Sequence, residues 1–542
     1  MFNLRLYKLN FMMYNIAKIQ YKGCGNMLYT FKMEKDEYWW GGTAVDGEVC
    51  PFDENTELEN DFTWNCPNQT MPMYLSSKGR CIWCEDGFKV KISKGEFAIE
   101  ANCEVTMEKF GDDLKSAYIG AMNKHFPPRG DYMPETFFKV PQYNTWMQMT
   151  YFQTQEGVLE YAQGIIDNGF TPGILMIDEG WQKNYGEWDF DRLKFPDPKA
   201  MTDKLHEMGF KVMLWVVPAV RPDGYFFLKH TREFLNAPHA NEIFLRNKNG
   251  EISLGLWWNG YSAMLDFTKE CDREFMDTQL QYLIKEYGID GFKFDGGTVE
   301  RYSNHATVTG EVDDTFTPHQ RNMAWNEFGT KYKYHEYKDT FKGGGKRCIQ
   351  RIRDRNHSWD GEGLSTLIPF ALLQGILGHP FICPDMIGGG EWTIRENNLL
   401  IDEELFVRMA QTAALFPMMQ FSWAPWEAVG SEALECIKNA EKLHNKFSDT
   451  IIELVNKAYE TGEPIMRNLE YNYPHKGYHK ILDTFMLGTD ILVAPVVVKG
   501  MTVRDVVLPE GEWEGFDGNT YAGGQTVSIP VTLNDLPYFI KK

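Results

Sequence analysis

The sequence predicts an α/β protein in which a (β/α)8 TIM barrel is flanked by an N-terminal antiparallel β-sandwich and a small C-terminal β domain. Short β-prone runs with turn residues between them fill the chain up to about residue 135, strands then alternate with helices, and short strands with frequent glycines follow residue 447. Evenly spaced short strands are typical of antiparallel sheets, and alternating strands and helices are typical of a parallel sheet. The predicted domains are therefore 1–135, 136–446 and 447–542.

The N-terminal domain is predicted from β-prone runs such as Phe88–Ile92 and Phe97–Glu100, which the segment Ser-Lys-Gly-Glu separates. Runs of this length and spacing indicate an antiparallel sandwich. Residues Met1 to Met27 mix basic and apolar residues, and they lack the continuous apolar stretch and cleavage site of a signal peptide. We interpret them as a strand-forming or loosely attached leader.

The barrel is predicted from strands and helices that alternate after residue 143. The predicted strands are Thr145–Phe152, Gly173–Asp178, Phe210–Val217 and Ile289–Phe294. The predicted helices, each followed by a glycine, are Glu156–Asn168, Pro198–Met208 and Asp272–Tyr287. Because several strands end in polar groups and no glycine-rich dinucleotide fingerprint follows the first strand, the pattern favours a barrel over a doubly wound sheet.

Composition and charge restrict the partners of the chain. Its 542 residues carry a formal net charge of −21, and an acidic surface repels nucleic acid and anionic membranes. No continuous apolar stretch is long enough to span a membrane. With 43% apolar and 24% charged residues, the composition is that of a soluble globular protein. We expect a cytoplasmic location, and a homo-oligomer is compatible with this composition.

The ten cysteines predict neither a metal site nor a disulfide framework. Cys81 and Cys84 form a lone C-x-x-C pattern without a second pair at zinc spacing. Six of the ten lie before residue 104, which leaves a disulfide in that region open. We expect no metal ion and no cofactor.

Carboxylates at the ends of predicted strands are the candidate catalytic groups. Asp295 ends the apolar run Ile289–Phe294, Asp178 ends an earlier strand, and Asp354 and Asp385 occupy similar positions further along. The carboxyl ends of barrel strands carry catalytic residues. Cleavage of a glycosidic bond needs two flanking carboxyl groups, roughly 5–5.5 Å apart in retaining enzymes. Tryptophans, whose flat rings suit sugar-binding clefts, accompany these carboxylates: Trp181, Trp188, Trp215, Trp359 and Trp423.

Several motifs between residues 140 and 440 together carry a family resemblance. They are Phe195–Met201 with Leu205–Lys211, Leu265–Thr268, Tyr287–Asp295, Asp354–Trp359, Gly378–Gly389 and Phe416–Met419. In this order and spacing the chain resembles glycoside hydrolase family 31, and within it the branch of α-galactosidases and myogenesis-regulating glycosidases. The flanking β regions fit the layout of that family.

The resemblance implies a role for each carboxylate. Asp295 is the expected nucleophile, which Lys293 helps to keep ionised, and Asp354 is the expected general acid/base. Asp178 is expected to bind hydroxyls of the sugar in the −1 subsite. Asp354 must hold a proton near neutrality, so we expect its pKa to be raised. Glu179 follows Asp178 directly, so strand alternation points it away from that face, and we interpret it as structural.

Three arginines flank Asp354 in the sequence, although a nearby cation lowers the pKa of a carboxyl. We therefore expect Arg351 to point toward substrate, and Arg353 and Arg355 to form surface ion pairs. The full set of expected substrate contacts is Asp178, Trp181, Trp215, Lys293, Arg351, Trp359, Asp385 and Trp423.

Two departures from the α-glucosidases of the family bear on the sugar. Lys293 replaces a tryptophan, and Gln420–Trp423 replaces an Arg-Asn-His sequence whose histidine contacts the sugar. Both departures lead toward the α-galactosidase branch, so the resemblance implies a retaining, exo-acting α-galactosidase. An α-glucosidase or α-xylosidase of the same family, a transglycosylase or lyase, and a non-catalytic carbohydrate-binding protein stay open as alternatives. The expected partner is a small-molecule glycoside or oligosaccharide.

Overall fold

The computed structural model describes residues 20–22, 26–128, 130, 132–224, 227, 243–258, 260–391, 393–394 and 400–542. Most of the expected leader, Met1 to Met27, and Cys24 lie outside the described residues. The nine cysteines that the structure describes are free thiols, so none of them forms the disulfide that the sequence left open.

Two packed sheets form the N-terminal region. In chain order its elements are β1 (Gln20–Lys22), β2 (Asn26–Lys32), β3 (Trp39–Thr43), a 3-10 helix (Ala44–Glu48), β4 (Leu58–Asp61), β5 (Gln69–Ser76), β6 (Arg80–Cys84), β7 (Lys89–Ser93), β8 (Glu96–Ala101), β9 (Val105–Lys109) and α1 (Leu114–His125). One antiparallel sheet has the order β1-β2-β8-β7-β4, and β3, β5, β6 and β9 belong to the other. Phe31 and Phe97 from the first sheet share a core with Trp39 and Met73 from the second. The predicted sandwich is confirmed.

Strands and helices alternate in the central region. In chain order its elements are α2 (Thr136–Lys139), β10 (Gln142–Asn144), α3 (Trp146–Met149), α4 (Gln155–Asp167), β11 (Ile174–Ile177), α5 (Pro198–Glu207), β12 (Lys211–Val216), β13 (Ala219–Val220), β14 (Leu254–Trp257), β15 (Gly260–Met264), α6 (Glu270–Tyr287), β16 (Gly291–Phe294), a 3-10 helix (Glu300–Tyr302), α7 (Pro318–Phe328), a 3-10 helix (Gly329–Lys331), β17 (Tyr334–Tyr337), β18 (Thr340–Phe341), β19 (Ile349–Arg351), α8 (Leu364–Ile376), β20 (Ile382–Cys383), α9 (Glu403–Ala414), β21 (Gln420–Phe421), α10 (Pro425–Ala428) and α11 (Ser431–Thr461).

Eight parallel strands of the described chain form a nearly closed barrel. Neighbours follow the order β20-β19-β17-β16-β12-β11-β10-β21. Ile387, shortly after β20, bridges Phe421 in β21 and brings the two edges together. Barrel strands such as β16 are buried throughout, as expected when helices cover the outer face and side chains fill the interior. The predicted TIM barrel is confirmed.

The first predicted barrel strand, Thr145–Phe152, is wrong, because β10 ends at Asn144 and α3 follows at once. Asn144 Oδ1 accepts the backbone N–H of Trp146 at 2.7 Å, and Thr145 Oγ1 donates to Gln153 Oε1 at 2.6 Å. Short polar side chains that bond to nearby backbone favour turns over extended chain. The apolar residues of this segment therefore pack as a helical turn beneath the strand end.

A small sheet extends the barrel beyond β12. β15 pairs antiparallel with both β13 and β14. Trp257 at the end of β14 stacks on Trp215 of β12, with ring centroids 6.3 Å apart and ring planes 11° apart. The described part of this insertion therefore stands at the carboxyl end of the barrel strands.

The C-terminal region is a β domain, as predicted. Its elements are β22 (Met466–Arg467), α12 (Leu469–Asn472), β23 (Phe485–Leu487), β24 (Ile491–Val493), β25 (Val503–Leu508), β26 (Glu512–Gly515), β27 (Thr520–Ala522), β28 (Gln525–Pro530) and β29 (Tyr538–Lys541). They form a sheet of order β22-β23-β24-β29-β26-β27 and the antiparallel pair β25-β28. The predicted boundary between residues 446 and 447 falls inside α11, and the domain limits stay a prediction.

Hydrogen bonds join both flanking regions to the barrel. Arg408 of α9 donates to the carbonyl oxygens of Thr532 and Asp535 in the C-terminal domain, each at 3.0 Å. β18, which follows barrel strand β17, pairs in parallel with β5 of the sandwich. In the described ranges, no helix combines the length and the apolarity needed to cross a membrane.

Candidate active site

A cavity of about 300 Å³ opens at the carboxyl end of the barrel strands. Its walls come from residues on or after the barrel strands β10, β11, β12, β16, β17, β19 and β20, with two tryptophans from the β14–β15 insertion. Its charged residues are Asp178, Glu179, Lys293, Asp295, Glu300, Arg301, Lys338, Asp339, Arg351 and Asp354. The barrel thus brings three of the predicted carboxylates into one cavity. Within the described ranges, no group of three or more His, Cys, Asp or Glu residues is arranged to hold a metal ion.

Asp295 directly follows β16 and is held by two hydrogen bonds. Trp215 Nε1 donates to its Oδ2 at 3.0 Å, and the backbone N–H of Gly296 donates to its Oδ1 at 2.8 Å. Burial raises the pKa of Asp295, but the cations of Lys338 and Arg351 outweigh burial and hold the pKa below its usual value. The carboxylate is therefore charged and fixed in orientation.

Asp354 lies three residues after β19 and faces the same cavity, where 59% of its side chain is exposed. Lys338 Nζ donates to its Oδ2 at 2.7 Å, and Arg351 Nη1 donates to its Oδ1 at 2.8 Å. Enclosure by the protein raises the pKa of Asp354, but Lys338 and then Arg351 hold it well below its usual range. The raised pKa predicted from the sequence is wrong for this arrangement, because both cations point at the carboxylate.

Arg351 joins the two carboxylates. Its Nη2 lies 3.9 Å from Asp295 Oδ2, while its Nη1 contacts Asp354 and also lies 2.6 Å from Asp385 Oδ1. Its Nε lies 3.3 Å from Glu336 Oε1. A guanidinium presents its donors in one rigid plane. This one side chain therefore places Asp295 and Asp354 at neighbouring points of the cavity.

Asp178 and Lys293 form a buried ion pair in the cavity wall. Lys293 Nζ lies 2.6 Å from Asp178 Oδ2, and neither side chain is more than 5% exposed. Asn144 Nδ2 donates to the same oxygen at 2.6 Å, and the backbone N–H of Glu179 donates to Oδ1 at 2.8 Å. A hydroxyl group that reaches this wall therefore meets an ion pair of fixed geometry rather than a free carboxylate.

Four of the eight expected substrate contacts line the cavity: Asp178, Trp215, Lys293 and Arg351. In the described chain, the lining does not include Trp181, Trp359, Asp385 and Trp423. The three tryptophans use their indole N–H groups inside the protein: Trp181 donates to the Trp215 carbonyl, Trp359 to Asp402 Oδ2 and Trp423 to the Gly389 carbonyl. Asp385 contacts Arg351 and therefore lies behind a side chain that faces the cavity.

Glu179 lines the cavity, although the sequence was interpreted to point it away. β11 ends at Ile177, so the alternation of strand side chains does not reach Glu179. Tyr185 Oη donates to one of its carboxylate oxygens, and Trp258 Nε1 donates to the other at 2.8 Å. Burial, assisted by the charge of Asp178, raises the pKa of Glu179 to about 7 against the effect of these bonds.

Lys338 and Asp339, directly after β17, are further cavity residues that the sequence analysis missed. The signal was present, since charged residues directly follow a β-prone run from Tyr334 to Tyr337, as they follow the runs before Asp178 and Asp295. Burial raises the pKa of Asp339 to about 6, although Lys338 opposes the rise.

The two other arginines near Asp354 differ from each other. Arg353 forms a partly exposed ion pair with Glu362, 2.6 Å apart, which agrees with the prediction. Arg355 is fully buried, and its Nη1 donates to Thr366 Oγ1 at 2.8 Å. The predicted surface ion pair of Arg355 is therefore wrong, because the turn after β19 carries this side chain inward.

Comparisons with known proteins match two parts of the chain to one family. The model of the "Glycosyl hydrolases family 31 TIM-barrel domain" matches residues 139–454, and that of the "Glycosyl hydrolase family 31 C-terminal domain" matches residues 462–542. Myogenesis-regulating glycosidase of Mus musculus is 31% identical over 79% of this chain and 60% of its own length. Alpha-glucosidase 2 of Bacillus thermoamyloliquefaciens is 27% identical over 72% of this chain and 51% of its own length. The chain thus spans less than two thirds of both relatives.

The fold also matches a solved structure. A family 31 dextranase of Flavobacterium johnsoniae, complexed with glucose, aligns with a TM-score of 0.81 and 22% identity. The match covers 96% of this chain and 67% of that chain. At this identity the likeness shows the shared fold.

The raised pKa of Glu179 predicts a pH-dependent effect of Glu179→Gln on stability. The ordinary pKa is 4.5 and the folded value is about 7, so protonation favours the folded state. This contribution is fully present below the ordinary value and is lost as the pH rises through the folded value. The neutral glutamine avoids that loss. We expect the Tm of the variant, relative to the wild type, to increase between about pH 5 and about pH 8.

Thermal unfolding at several pH values measures this difference. Glu57→Gln, which changes an exposed glutamate, is the matched control and should show no such trend. A constant or decreasing Tm difference for Glu179→Gln would show that the Glu179 carboxyl keeps its ordinary proton affinity in the folded protein.

Proposed function

Because this chain belongs to glycosyl hydrolase family 31 and is therefore a glycosidase, we propose that it hydrolyses a terminal α-linked sugar with retention, through a covalent glycosyl ester on Asp295. The observation that carries the proposal is the meeting of Asp295 and Asp354 in one cavity, with Arg351 between them. Two carboxyl groups on either side of a glycosidic bond are what this reaction needs.

Each carboxylate acts in both steps of the proposed reaction. First, an oxygen of Asp295 bonds to the anomeric carbon as the bond to the leaving oxygen breaks, and Asp354 gives that oxygen a proton. Next, water attacks the same carbon, Asp354 takes a proton from the water, and the ester to Asp295 breaks. After the second step Asp295 is a free carboxylate again and Asp354 again holds one proton, which passes to solvent when Lys338 returns. The hydrogen bonds from Trp215 and Gly296 keep Asp295 aligned throughout.

Asp354 is charged while Lys338 and Arg351 contact it, so it has to take up a proton before it acts as an acid. We propose that the leaving oxygen of the substrate replaces Lys338 Nζ at Asp354 Oδ2. The Lys338 side chain is 19% exposed and reaches the open cavity, whereas that of Arg351 is 2% exposed and held by other carboxylates. Lys338 is therefore the cation that can move away.

The size of the cavity supports action on a single terminal sugar. Its volume of about 300 Å³ lies at the lower end for small-molecule sites. An α-glucoside is the proposed sugar, because one matched relative is named an α-glucosidase and the matched structure is a complex with glucose. The α-galactoside predicted from the sequence becomes the second candidate, because Lys293, one of the two departures behind that prediction, lies in the cavity wall and pairs with Asp178.

Asp295→Ala tests the nucleophile. Without this carboxylate no glycosyl ester can form, so kcat/KM should fall by roughly a thousandfold or more while sugar binding persists. A fluorinated α-glycosyl fluoride that forms a slowly hydrolysed ester should add one glycosyl group to the wild type. Mass spectrometry of peptides should locate that group on Asp295.

Asp290→Ala is the matched control, since Asp290 precedes the same strand at its opposite end and binds His206 and the backbone N–H of Val212. It should keep both turnover and labelling. A label on another residue, or undiminished turnover by Asp295→Ala, contradicts the assignment. Sugar binding without turnover in the wild type would favour a carbohydrate-binding protein instead.

The sugar is tested with a panel of nitrophenyl α-glycosides of glucose, galactose and xylose. We expect the highest kcat/KM on the glucoside. The two hexosides differ only in the direction of one ring hydroxyl, which the fixed Lys293–Asp178 pair can distinguish. The highest value on the galactoside would instead establish the second candidate, and analysis of the released sugar would separate hydrolysis from transfer.

Lys338→Met tests the charge environment of Asp354. The pH profile of kcat/KM reports the ionisation of the free enzyme. Lys338 lowers the pKa of both Asp354 and Asp295, so its loss should raise both values. We therefore expect the whole pH profile of kcat/KM to move to higher pH.

The control is Lys342→Met, because Lys342 pairs with Glu85 of the sandwich and is not among the residues that line the cavity. Its pH profile should match that of the wild type. An unchanged profile for Lys338→Met, or a shift to lower pH, would show that Lys338 does not set the proton affinity of the catalytic pair.

A further inference from the structure

We infer that Gln69, a residue of the N-terminal sandwich, is a positioning residue for the general acid/base Asp354. The inference rests on the proposed function, because it assigns Gln69 to the proton-transfer part of that reaction. Gln69 is fully buried and is not among the described residues that line the cavity. It acts through Lys338 and Arg351, the two cations that contact Asp354.

The amide nitrogen of Gln69 ties two strand ends of the barrel together. Gln69 Nε2 donates to the carbonyl oxygen of Lys338 at 2.7 Å and to that of Arg351 at 3.0 Å. It also lies 3.2 Å from Gln350 Oε1. The three oxygen atoms around Gln69 Nε2 can all accept hydrogen bonds, as the NH2 group of an amide side chain requires.

The backbone around Gln69 holds it in place against the barrel. β18 pairs with the start of β5, so that Thr340 lies opposite Gln69. The Thr340 N–H donates to the Asn68 carbonyl at 2.9 Å, and the Asn68 N–H donates to Asp339 Oδ1 at 2.8 Å. The loop that carries Lys338 therefore follows a barrel strand and is also hydrogen-bonded to the sandwich.

This arrangement fixes the distance between the two cations that hold Asp354. Lys338 follows β17 and Arg351 ends β19, and the pairing between these neighbouring strands ends one residue earlier, at Tyr337 and Gln350. Gln69 is the side chain that bonds both residues at their backbone. If the bond is lost, the two cations can move independently and the Asp354 carboxyl loses its position. A displacement of about 1 Å can cost a hundredfold in rate.

Gln69→Met tests the inference, since methionine has a similar length but no N–H donor. The measurement is kcat/KM for aryl α-glycosides whose leaving groups range from strongly to weakly acidic phenols. A poor leaving group needs the proton from Asp354, whereas a good one departs without it. We expect a loss of roughly ten- to hundredfold for the poorest leaving group and less than about threefold for the best.

Asp354→Ala is the reference variant for loss of the general acid. Its kcat/KM should fall even more steeply than that of Gln69→Met as the leaving phenol becomes less acidic. Gln411→Leu is the control for the loss of a buried glutamine between domains. Gln411 Nε2 donates to the Leu533 carbonyl at 2.8 Å, and Gln411 is not among the described residues that line the cavity. Its kcat/KM should change equally, if at all, across the substrates.

Gln69→Asn provides a milder second variant in case Gln69→Met does not fold, since it keeps the amide but shortens its reach. An equal loss across all leaving groups, or no loss, would overturn the inference and leave a structural role. The failure of the proposed function looks different. In that case Asp295→Ala would remain active, or Asp354→Ala would show no dependence on the leaving group.

Discussion

The guanidinium group of Arg351 is the interaction on which the site depends. Its three nitrogens lie within 3.9 Å of carboxylate oxygens from Asp295, Asp354, Asp385 and Glu336. Burial raises the pKa of Glu336 and Arg351 opposes that rise, while the same guanidinium helps to hold the pKa values of Asp295 and Asp354 below their usual range. The strand order brings these groups together. β19, which carries Arg351, lies between β17, which carries Glu336, and β20, which Asp385 follows.

The same cations create a chemical difficulty that the site has to solve. A general acid needs a proton, yet Lys338 and Arg351 both favour the charged form of Asp354. Arg351 is buried and held by several carboxylates, whereas Lys338 reaches the open cavity. In the proposed reaction, one fixed and one movable cation would let Asp354 act as a base while the lysine is in contact and as an acid when a substrate oxygen takes its place. The proton affinity then depends on occupancy of the cavity.

The sequence was sufficient to predict the position of a residue when that position depends only on the neighbouring residues in the chain. The buried run before Asp295 ends in a carboxylate, and its strand and place at the barrel rim follow from that pattern. The sequence was insufficient when the position of a side chain depends on contacts with residues far away in the sequence. Lys338 reaches Asp354 through a loop that Gln69 holds from 269 residues away. Glu179 faces the cavity because β11 ends at Ile177, and the length of a strand is the least certain feature of its pattern.

The flanking regions contact residues that line the candidate active site, so they do more than cover the barrel. The loop after β17 contains β18, which pairs in parallel with β5 of the sandwich. This barrel loop is therefore hydrogen-bonded to the N-terminal region. On the opposite wall, Trp257 of the insertion stacks on Trp215, whose indole N–H holds Asp295. Each of the two proposed catalytic carboxylates is thus held by barrel residues, and a segment outside the barrel sheet contacts one or more of those residues. A barrel without these segments would keep both aspartates and their direct contacts, but Trp215 would lose the ring of Trp257, and the backbone of Lys338 and Arg351 would lose the amide of Gln69.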